Sequence, residues 1–376
     1  MAARKRRILF FVGGSYVFGG EVIMLDLMRF LRDRGHEVRC VVSGWNDGDF
    51  IRRLQELGVA HDVVKLGFLY LSRPRWTLDS LVHYPGSLLQ LARIMAAFEP
   101  DVVYHHGYRT LLTTFFLTRP QRTIVHMMET EGDTRRVRLR YRALRSRAAR
   151  FVAISRFIER DLIAKGIDAD QIRVAYPAVQ IGGLDRRAAP AETRLVRVGV
   201  VGQLIPRKGH LDLFQALGAL RAEGHAFALD VFGRGPDDWT AELTRAARRS
   251  GLESCTTWHG FVSERAQIYA GLDLVVVPTR DQEALGMVAA EPALWSIPVI
   301  ASDGGGLPEV VIDGETGLLF RAGDVAHLID RLRSLLSDAP LRRRLGTNAK
   351  LHVERRFGAD ACTSAIEAVI DEVCAR

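Results

Sequence analysis

The segment Val196-Arg-Val-Gly-Val-Val201-Gly-Gln-Leu-Ile-Pro-Arg-Lys208-Gly209 lies just past the middle of the 376-residue chain and reads as a beginning. A β-branched run stops at Gly202, a turn with Pro206 and Gly209 follows, and helical spacing opens at His210. This is how the first βα unit of a parallel sheet starts. Further apolar runs at residues 227–232, 256–259, 274–277 and 299–301 predict the remaining strands of a doubly wound domain.

Working back toward the N-terminus, the same alternation is already present. Short apolar runs at 8–12, 37–42, 61–64, 102–104, 123–125, 151–154 and 172–175 are separated by amphipathic segments at 21–34, 50–57 and 88–98. The chain is therefore expected to hold two Rossmann-like α/β domains with parallel sheets, over residues 1–180 and 195–355. Residues 181–194, rich in Gly, Pro and mixed charge, are the expected linker. The last segment, 356–376, has helical spacing and is expected to cross back onto the first domain. In such folds ligands bind at the carboxyl ends of the strands, where strand order reverses, which places the expected site between the two sheets.

Composition narrows the function. The chain is 48% hydrophobic and carries a net charge of +8, with only five lysines among its 52 basic residues. Eight of the sixteen residues 135–150 are arginine, from Arg135 to Arg150. That run suits phosphates, an acidic acceptor or peripheral contact with an anionic membrane. No helix-turn-helix, zinc finger or aromatic RNA-binding motif accompanies it, so nucleic acid is not an expected partner. The apolar, aromatic stretch 66–76 (LGFLYLSRPRW) is a second candidate for packing on an acceptor or a membrane. Four scattered cysteines without metal-ligand spacing imply a reducing, cytoplasmic setting and no structural metal. Arg4 to Arg7 followed by a five-residue apolar run mimics a signal peptide, but Gly13-Gly14 ends the run, which reads as a strand.

The strongest chemical signal is Glu283-Ala-Leu-Gly-Met-Val-Ala-Ala-Glu291, two carboxylates with seven residues between them, just after a predicted strand. A helix beginning near Gly286 would leave Glu283 at its mouth and Glu291 about one and a half turns inside. Carboxylates accept paired hydrogen bonds from vicinal hydroxyls, and free amides at a helix start suit a diphosphate. Glu291 falls in the apolar stretch 287–295, where an unpaired charge is costly and a partner is required. In the first half, Gly13-Gly14 and Gly19-Gly20-Glu21 follow the first strand and allow close approach of backbone to phosphate. They do not spell GxGxxG, and no suitably placed acid ends the second strand, which argues against a nicotinamide cofactor.

These motifs, in this order, resemble retaining glycosyltransferase family 4, which has the two-domain GT-B fold. The series runs Gly202 to Gly209, Gly233-Arg-Gly235-Pro236, His259-Gly260-Phe261-Val262, Glu283 to Glu291, Ile297-Pro298-Val299-Ile300, Gly305 with Glu309, and Asp313-Gly-Glu-Thr-Gly317. The resemblance spans nearly the whole chain. It implies that Lys208 contacts the donor diphosphate, Glu283 the transferred sugar and Glu291 the ribose. It implies further that Gly286, Met287 and Val288 offer amides to the phosphates and that Gly260, Phe261 and Val262 lie near the base. Family members usually carry arginine where this chain has Gln203, and Arg207 is the nearest substitute. Gly19 and Gly20 match the phosphate loop of the first domain. On the acceptor side the candidates are His105, His106, His126 and Glu129, of which His126 with Glu129 is favoured for orienting the acceptor hydroxyl or the sugar. Ser155 reads as a helix N-cap.

The activity implied is transfer of a hexose-type sugar from a nucleotide-sugar, UDP-linked by preference, to a hydroxyl acceptor, without metal or cofactor. The nucleotide-sugar is a substrate. The acceptor class, a polysaccharide, a lipid carrier or a small metabolite, stays open, as does the oligomeric state. Two other readings fit the same motifs: a GT-B epimerase or phosphorylase, and a non-catalytic sugar-nucleotide-binding subunit.

Overall fold

Alternating strands and helices close into two separate units, seen in a computed structural model that describes residues 5–14, 16–66, 74–179 and 195–375. One unit comprises residues 1–178 with 359–376, the other 179–358. The expected linker, 181–194, lies outside the described residues, as do residues 67–73 of the apolar stretch 66–76.

The first unit runs β1 (Arg7–Val12), α1 (Gly19–Asp33), β2 (Glu37–Ser43), α2 (Asp49–Glu56), β3 (Ala60–Val64), α3 (Pro74–Phe98), β4 (Val102–His106), α4 (Gly107–Thr113), β5 (Thr123–Met127), α5 (Arg135–Leu144), β6 (Arg150–Ala153), α6 (Arg156–Ala164) and β7 (Ile172–Val174). All seven strands are parallel, in the order β3-β2-β1-β4-β5-β6-β7. Both faces are covered, which is why the strands read as continuous apolar runs. Beneath α1 and α2 lie Ile8, Phe10, Val38, Cys40 and Val42, while α3 covers Leu9, Phe11, Val41 and Val103 on the other face. Ser155 caps α6, its hydroxyl accepting from Ile158 N at 3.1 Å.

The second unit runs β8 (Val196–Val201), α7 (His210–Ala222), β9 (Phe227–Phe232), α8 (Asp237–Arg249), β10 (Thr256–Gly260), α9 (Arg265–Tyr269), β11 (Leu274–Val277), α10 (Met287–Ala290), β12 (Val299–Ser302), α11 (Leu307–Val310), β13 (Gly317–Phe320), α12 (Val325–Ser337) and α13 (Ala339–Arg356). Its sheet is parallel in the order β10-β9-β8-β11-β12-β13. The last helix, α14 (Ala359–Cys374), returns to the first unit and sets Ile366, Val369, Ile370 and Val373 into the core beneath α1. Polar contacts fix it there: Glu367 accepts from Arg34 at 2.6 Å and meets His36 Nε2 at 3.1 Å.

In each sheet the strand order reverses once, between β1 and β4 and between β8 and β11. Loops leaving adjacent strands at such a point diverge to opposite faces and leave a crevice at the carboxyl edge. The loops after β8 and β11 carry Lys208 and Glu283; the loop after β1 carries Gly13-Gly14 and leads to Gly19-Gly20 at the start of α1, while β4 ends on His105 and His106.

Candidate functional site

In the second unit the switch point brings Lys208 onto Glu283: Nζ donates to Oε1 at 2.5 Å, with both side chains largely buried. Arg207 is the looser neighbour, its Nη1 3.9 Å from the same oxygen and its side chain 44% exposed. Backbone packing imposes the pairing. Gly209 has φ +72°, and an added Cβ would lie 1.8 Å from the carbonyl oxygen of Pro278. The turn at Pro206–Lys208 can therefore lie directly against the end of β11 only because residue 209 has no side chain. Two further bonds hold the loops together: Arg280 N donates to Arg207 O at 2.8 Å and Thr279 Oγ1 to the same carbonyl at 3.1 Å. Arg280 in turn grips buried Asp212 at 2.7 and 2.5 Å, which raises its own pKa.

Glu283 is clamped from the other side as well. Its carbonyl accepts from Gly306 N at 2.7 Å, and a Cβ at Gly305 (φ +68°) would fall 2.1 Å from that oxygen. A Gly209→Ala variant is expected to lose about 2–4 kcal/mol in the second unit through forced φ and backbone overlap, and to lose donor binding with it. Thermal unfolding beside donor titration checks this, and an unchanged affinity would detach Lys208 from the site.

Sequence spacing predicts Glu291 one and a half turns inside a helix, but the structure shortens that helix. α10 spans only Met287–Ala290 and passes into a 3₁₀ turn, Glu291–Trp295, at Pro292. Glu291 sits at the junction, and the helix dipole available at Gly286 is that of a single turn. The amides of Met287 and Val288 precede the first internal bond, from Ala289 N to Gly286 O at 2.8 Å. Glu291 has its partners inside the protein: Arg265 Nε donates to Oε1 at 3.0 Å and Tyr269 OH to Oε2 at 2.8 Å. Each carboxylate oxygen thus keeps a lone pair for a further donor. Arg265 and Tyr269 escape sequence reasoning because they stand 26 and 22 residues before Glu291, with no periodicity linking them.

The rest of the predicted donor surface lies on neighbouring strand ends. Gly202 N donates to Phe232 O at 3.0 Å and Gly233 N to Gly260 O at 2.7 Å, stitching the loops after β8, β9 and β10 together. Gly260 has φ +66°, Phe261 is exposed with the Arg234 guanidinium 5.5 Å from its ring centre, and Val262 is half-buried. Gln203 N and O lie in the same turn, where its carbonyl accepts from Ile205 N at 3.0 Å.

In the first unit the histidines separate by depth. His105 is fully buried, stacked on Phe11 at 5.0 Å and bonded to Thr110 Oγ1 at 3.2 Å. His126 is 2% exposed; its Nδ1 shares a 2.8 Å hydrogen bond with Tyr104 OH, and its Nε2 has no hydrogen-bond partner among the described residues. Burial pushes both imidazoles down to about 3, so both are neutral. A small cavity bordered by Ile23, Leu27, Tyr176, Ala178 and Ile366 adjoins His126, which places that residue beneath α1 and α14.

His106, the register partner of His126, is the least buried of the three, its side chain 16% exposed. It packs on the start of α1, where a Cβ on Gly20 would come within 2.9 Å of its Nε2, and its Nδ1 lies 3.7 Å from Glu21 Oε1. Burial lowers its pKa, against the pull of Glu21 and Glu129. Glu21 also accepts from Phe18 N at 3.1 Å and so holds the glycine loop, whereas Gly19 faces open space. Glu129 is mostly exposed, 3.8 Å from Arg109 Nη2.

Residues 17–182 match the family described as Glycosyltransferase Family 4, and residues 185–352 the one described as Glycosyl transferases group 1. The D-inositol 3-phosphate glycosyltransferase of Nocardia farcinica is 35% identical over 201 residues, 50% of this chain and 44% of that one. The sulfoquinovosyl transferase of Arabidopsis thaliana is 25% identical over 390 residues, 94% of this chain and 71% of that one. The chain thus spans less than half of the first of these relatives and more than two thirds of the second. In fold it is similar to HepE of Anabaena, solved with UDP and glucose, with a TM-score of 0.81, 21% identity and coverage of 97% and 99%. Two consecutive family matches, meeting at the boundary between two parallel-sheet units of this topology, leave one assignment: the chain belongs to the group 1, family 4 glycosyltransferases of GT-B fold.

Proposed function

We propose that this protein is a retaining transferase that moves a hexose-type sugar from a nucleoside-diphosphate sugar, UDP-linked by preference, to a hydroxyl acceptor. The observation that carries this reading is the Lys208–Glu283 pair at 2.5 Å beside the free amides of Met287 and Val288. A cation, a hydroxyl-binding carboxylate and amide donors around one switch point are what a sugar diphosphate needs. The crystal form of HepE with UDP and glucose supports the preference for UDP.

In this scheme donor binding opens the ion pair: Lys208 turns to the diphosphate and Glu283 accepts from sugar hydroxyls. The bond from the anomeric carbon to the diphosphate breaks, and the acceptor oxygen bonds to the same face. The departing phosphate oxygen takes the acceptor's proton. Lys208 and the amides stabilise the charge that develops, without a metal in any step. Glu291, oriented by Arg265 and Tyr269, receives the ribose hydroxyls. Phe261, exposed at the end of β10, offers a face to the base. His106 and Glu129, rather than buried His126, face the acceptor. The reaction belongs in the cytoplasm, which suits two buried and two partly buried free cysteines.

Release of nucleoside diphosphate from a panel of UDP-, GDP-, ADP- and TDP-sugars, with and without pooled acceptors, tests the reading. One nucleotide whose release rises with acceptor is the expected result; donor binding without release from any donor would refute catalysis. Tyr269→Phe removes one donor from Glu291 and is expected to weaken the donor about tenfold, the worth of one hydrogen bond to a charged group. A 2′,3′-dideoxy donor analogue should feel that substitution little; an equal loss with the analogue would separate Glu291 from the ribose.

A further inference from the structure

We propose that the face of the first unit built by α3, α4 and α5 docks on an anionic lipid bilayer. α3 has two apolar faces. One supplies Leu91, Ile94 and Phe98 to the core; on the opposite side Leu78, Leu81, Val82 and Leu89 are 54–69% exposed. Positions 78, 82, 85 and 89 follow helical spacing, so Pro85 joins the leucines and valine in one stripe along the helix. Soluble helices rarely leave such a stripe uncovered.

α4 extends this surface. Tyr84 OH on α3 donates to Thr113 O at the end of α4 at 2.9 Å, and Phe116, just beyond, is 78% exposed. α5 adjoins α4 through the Tyr108 and Tyr141 rings, 5.7 Å apart, and Arg147 lies over Phe115 at 3.7 Å. On α5, Leu139 is 55% exposed between Arg135 and Arg142.

Charge selects the occupant. The arginine run is only partly free: Arg138 pairs with Asp133, Arg140 with Glu131, Arg145 with Asp168 and Arg150 with Glu372. Arg135, Arg136 and Arg142 remain exposed and, among the described residues, without a carboxylate partner; Arg75, Arg93 and Arg119 on or beside α3 and α4 are in the same state. No acidic residue occurs in 80–98, 102–128 or 134–158. An apolar stripe beside unpaired arginines complements acyl chains and lipid phosphates together, which a soluble polyanion does not. No helix among the described residues is long and apolar enough to cross a membrane, so the contact is interfacial.

This proposal is independent of the transferase reading, since its readout is binding. The full chain is sedimented with vesicles of phosphatidylcholine alone and of phosphatidylcholine mixed with phosphatidylglycerol, beside heparin affinity and sedimentation velocity. Expected is binding to the anionic vesicles only, reduced at least about tenfold by Leu78→Ser with Val82→Ser and Leu89→Ser. Arg135→Gln with Arg136→Gln and Arg142→Gln should reduce it on the order of a hundredfold. All six side chains point to solvent, and unchanged melting curves verify folding. Absence of binding to anionic vesicles overturns the proposal. So does binding untouched by the serine variant, which would mean simple polyanion attraction, or a wild-type dimer that the serine variant dissociates, which would mean that a second copy covers the stripe.

Discussion

Lys208→Ala is expected to lower donor turnover by about a hundred- to a thousandfold, the usual cost of deleting one preorganised group that stabilises developing charge. The ground state explains why the effect should fall on kcat. Without donor, Lys208 is committed to Glu283 at 2.5 Å, and the donor must exchange that bond for a phosphate contact. The contact grows in value only as negative charge accumulates on the departing oxygen, so the loss appears in the transition state more than in binding. Folding should be nearly untouched, because Arg207 still faces Glu283 from 3.9 Å and neutralises it. Arg207 is not a replacement for the chemistry: it is already more exposed, and the turn is fixed by its carbonyl bonds to Thr279 and Arg280. Lys208→Arg should rescue poorly, since a planar fork does not fit the place of a compact ammonium. Nucleotide release at saturating donor, with Glu283→Ala in parallel, measures this. A fall of less than threefold in Lys208→Ala would remove the lysine from the mechanism.

The strands and their order of appearance were legible because parallel sheets covered on both faces impose continuous apolar runs, and β8, β9 and β11 coincide with the predicted segments. Elements without that pattern were not. α3 begins at Pro74 rather than near Leu88: Pro85 reads as a break, yet its ring faces solvent and the helix continues past it. β13 was missed because Gly317–Phe320 is four residues long and opens on the glycine of a turn motif. At the site, the identities of Lys208 and Glu283 were readable, but not that they bond to each other; that follows from Gly209 meeting Pro278 across the switch point. Strand alternation indicates which face a histidine takes. It does not give depth, and so does not distinguish His106, at the end of β4, from His126, covered by α1 and α14.

Glu372→Ala is expected to destabilise the first unit by about 3 kcal/mol, the cost of stranding a buried charge. Arg150 opens β6 with its side chain 4% exposed, and its guanidinium bonds Glu372 Oε1 and, at 2.7 Å, the carbonyl of Ala149. Arg173 reaches the same carboxylate at 2.8 and 3.1 Å. Glu372 lies on α14, so one side chain ties the last helix of the chain to β6 and β7 in addition to the apolar seat of Ile366, Ile370 and Val373. Hydrogen bonds from Arg150, with those from Arg173, hold its carboxyl down to about 2, against an ordinary 4.5. A carboxyl whose pKa is depressed by folding stabilises the native state fully above its unfolded value and loses that contribution as pH falls through the folded one. The stabilisation from Glu372 should thus be whole at neutral pH and decline from about pH 4.5 toward pH 2. Glu372→Gln keeps a hydrogen-bonding oxygen but not the charge, so it should lose less than the alanine variant at pH 7 and should lack this part of the acid dependence. Thermal unfolding of the three proteins at pH 7 and pH 4 reads both effects. Equal stabilities at pH 7 would mean that the Glu372 ion pairs add nothing to the seating of α14 and that Arg150 finds another partner when the carboxylate is gone.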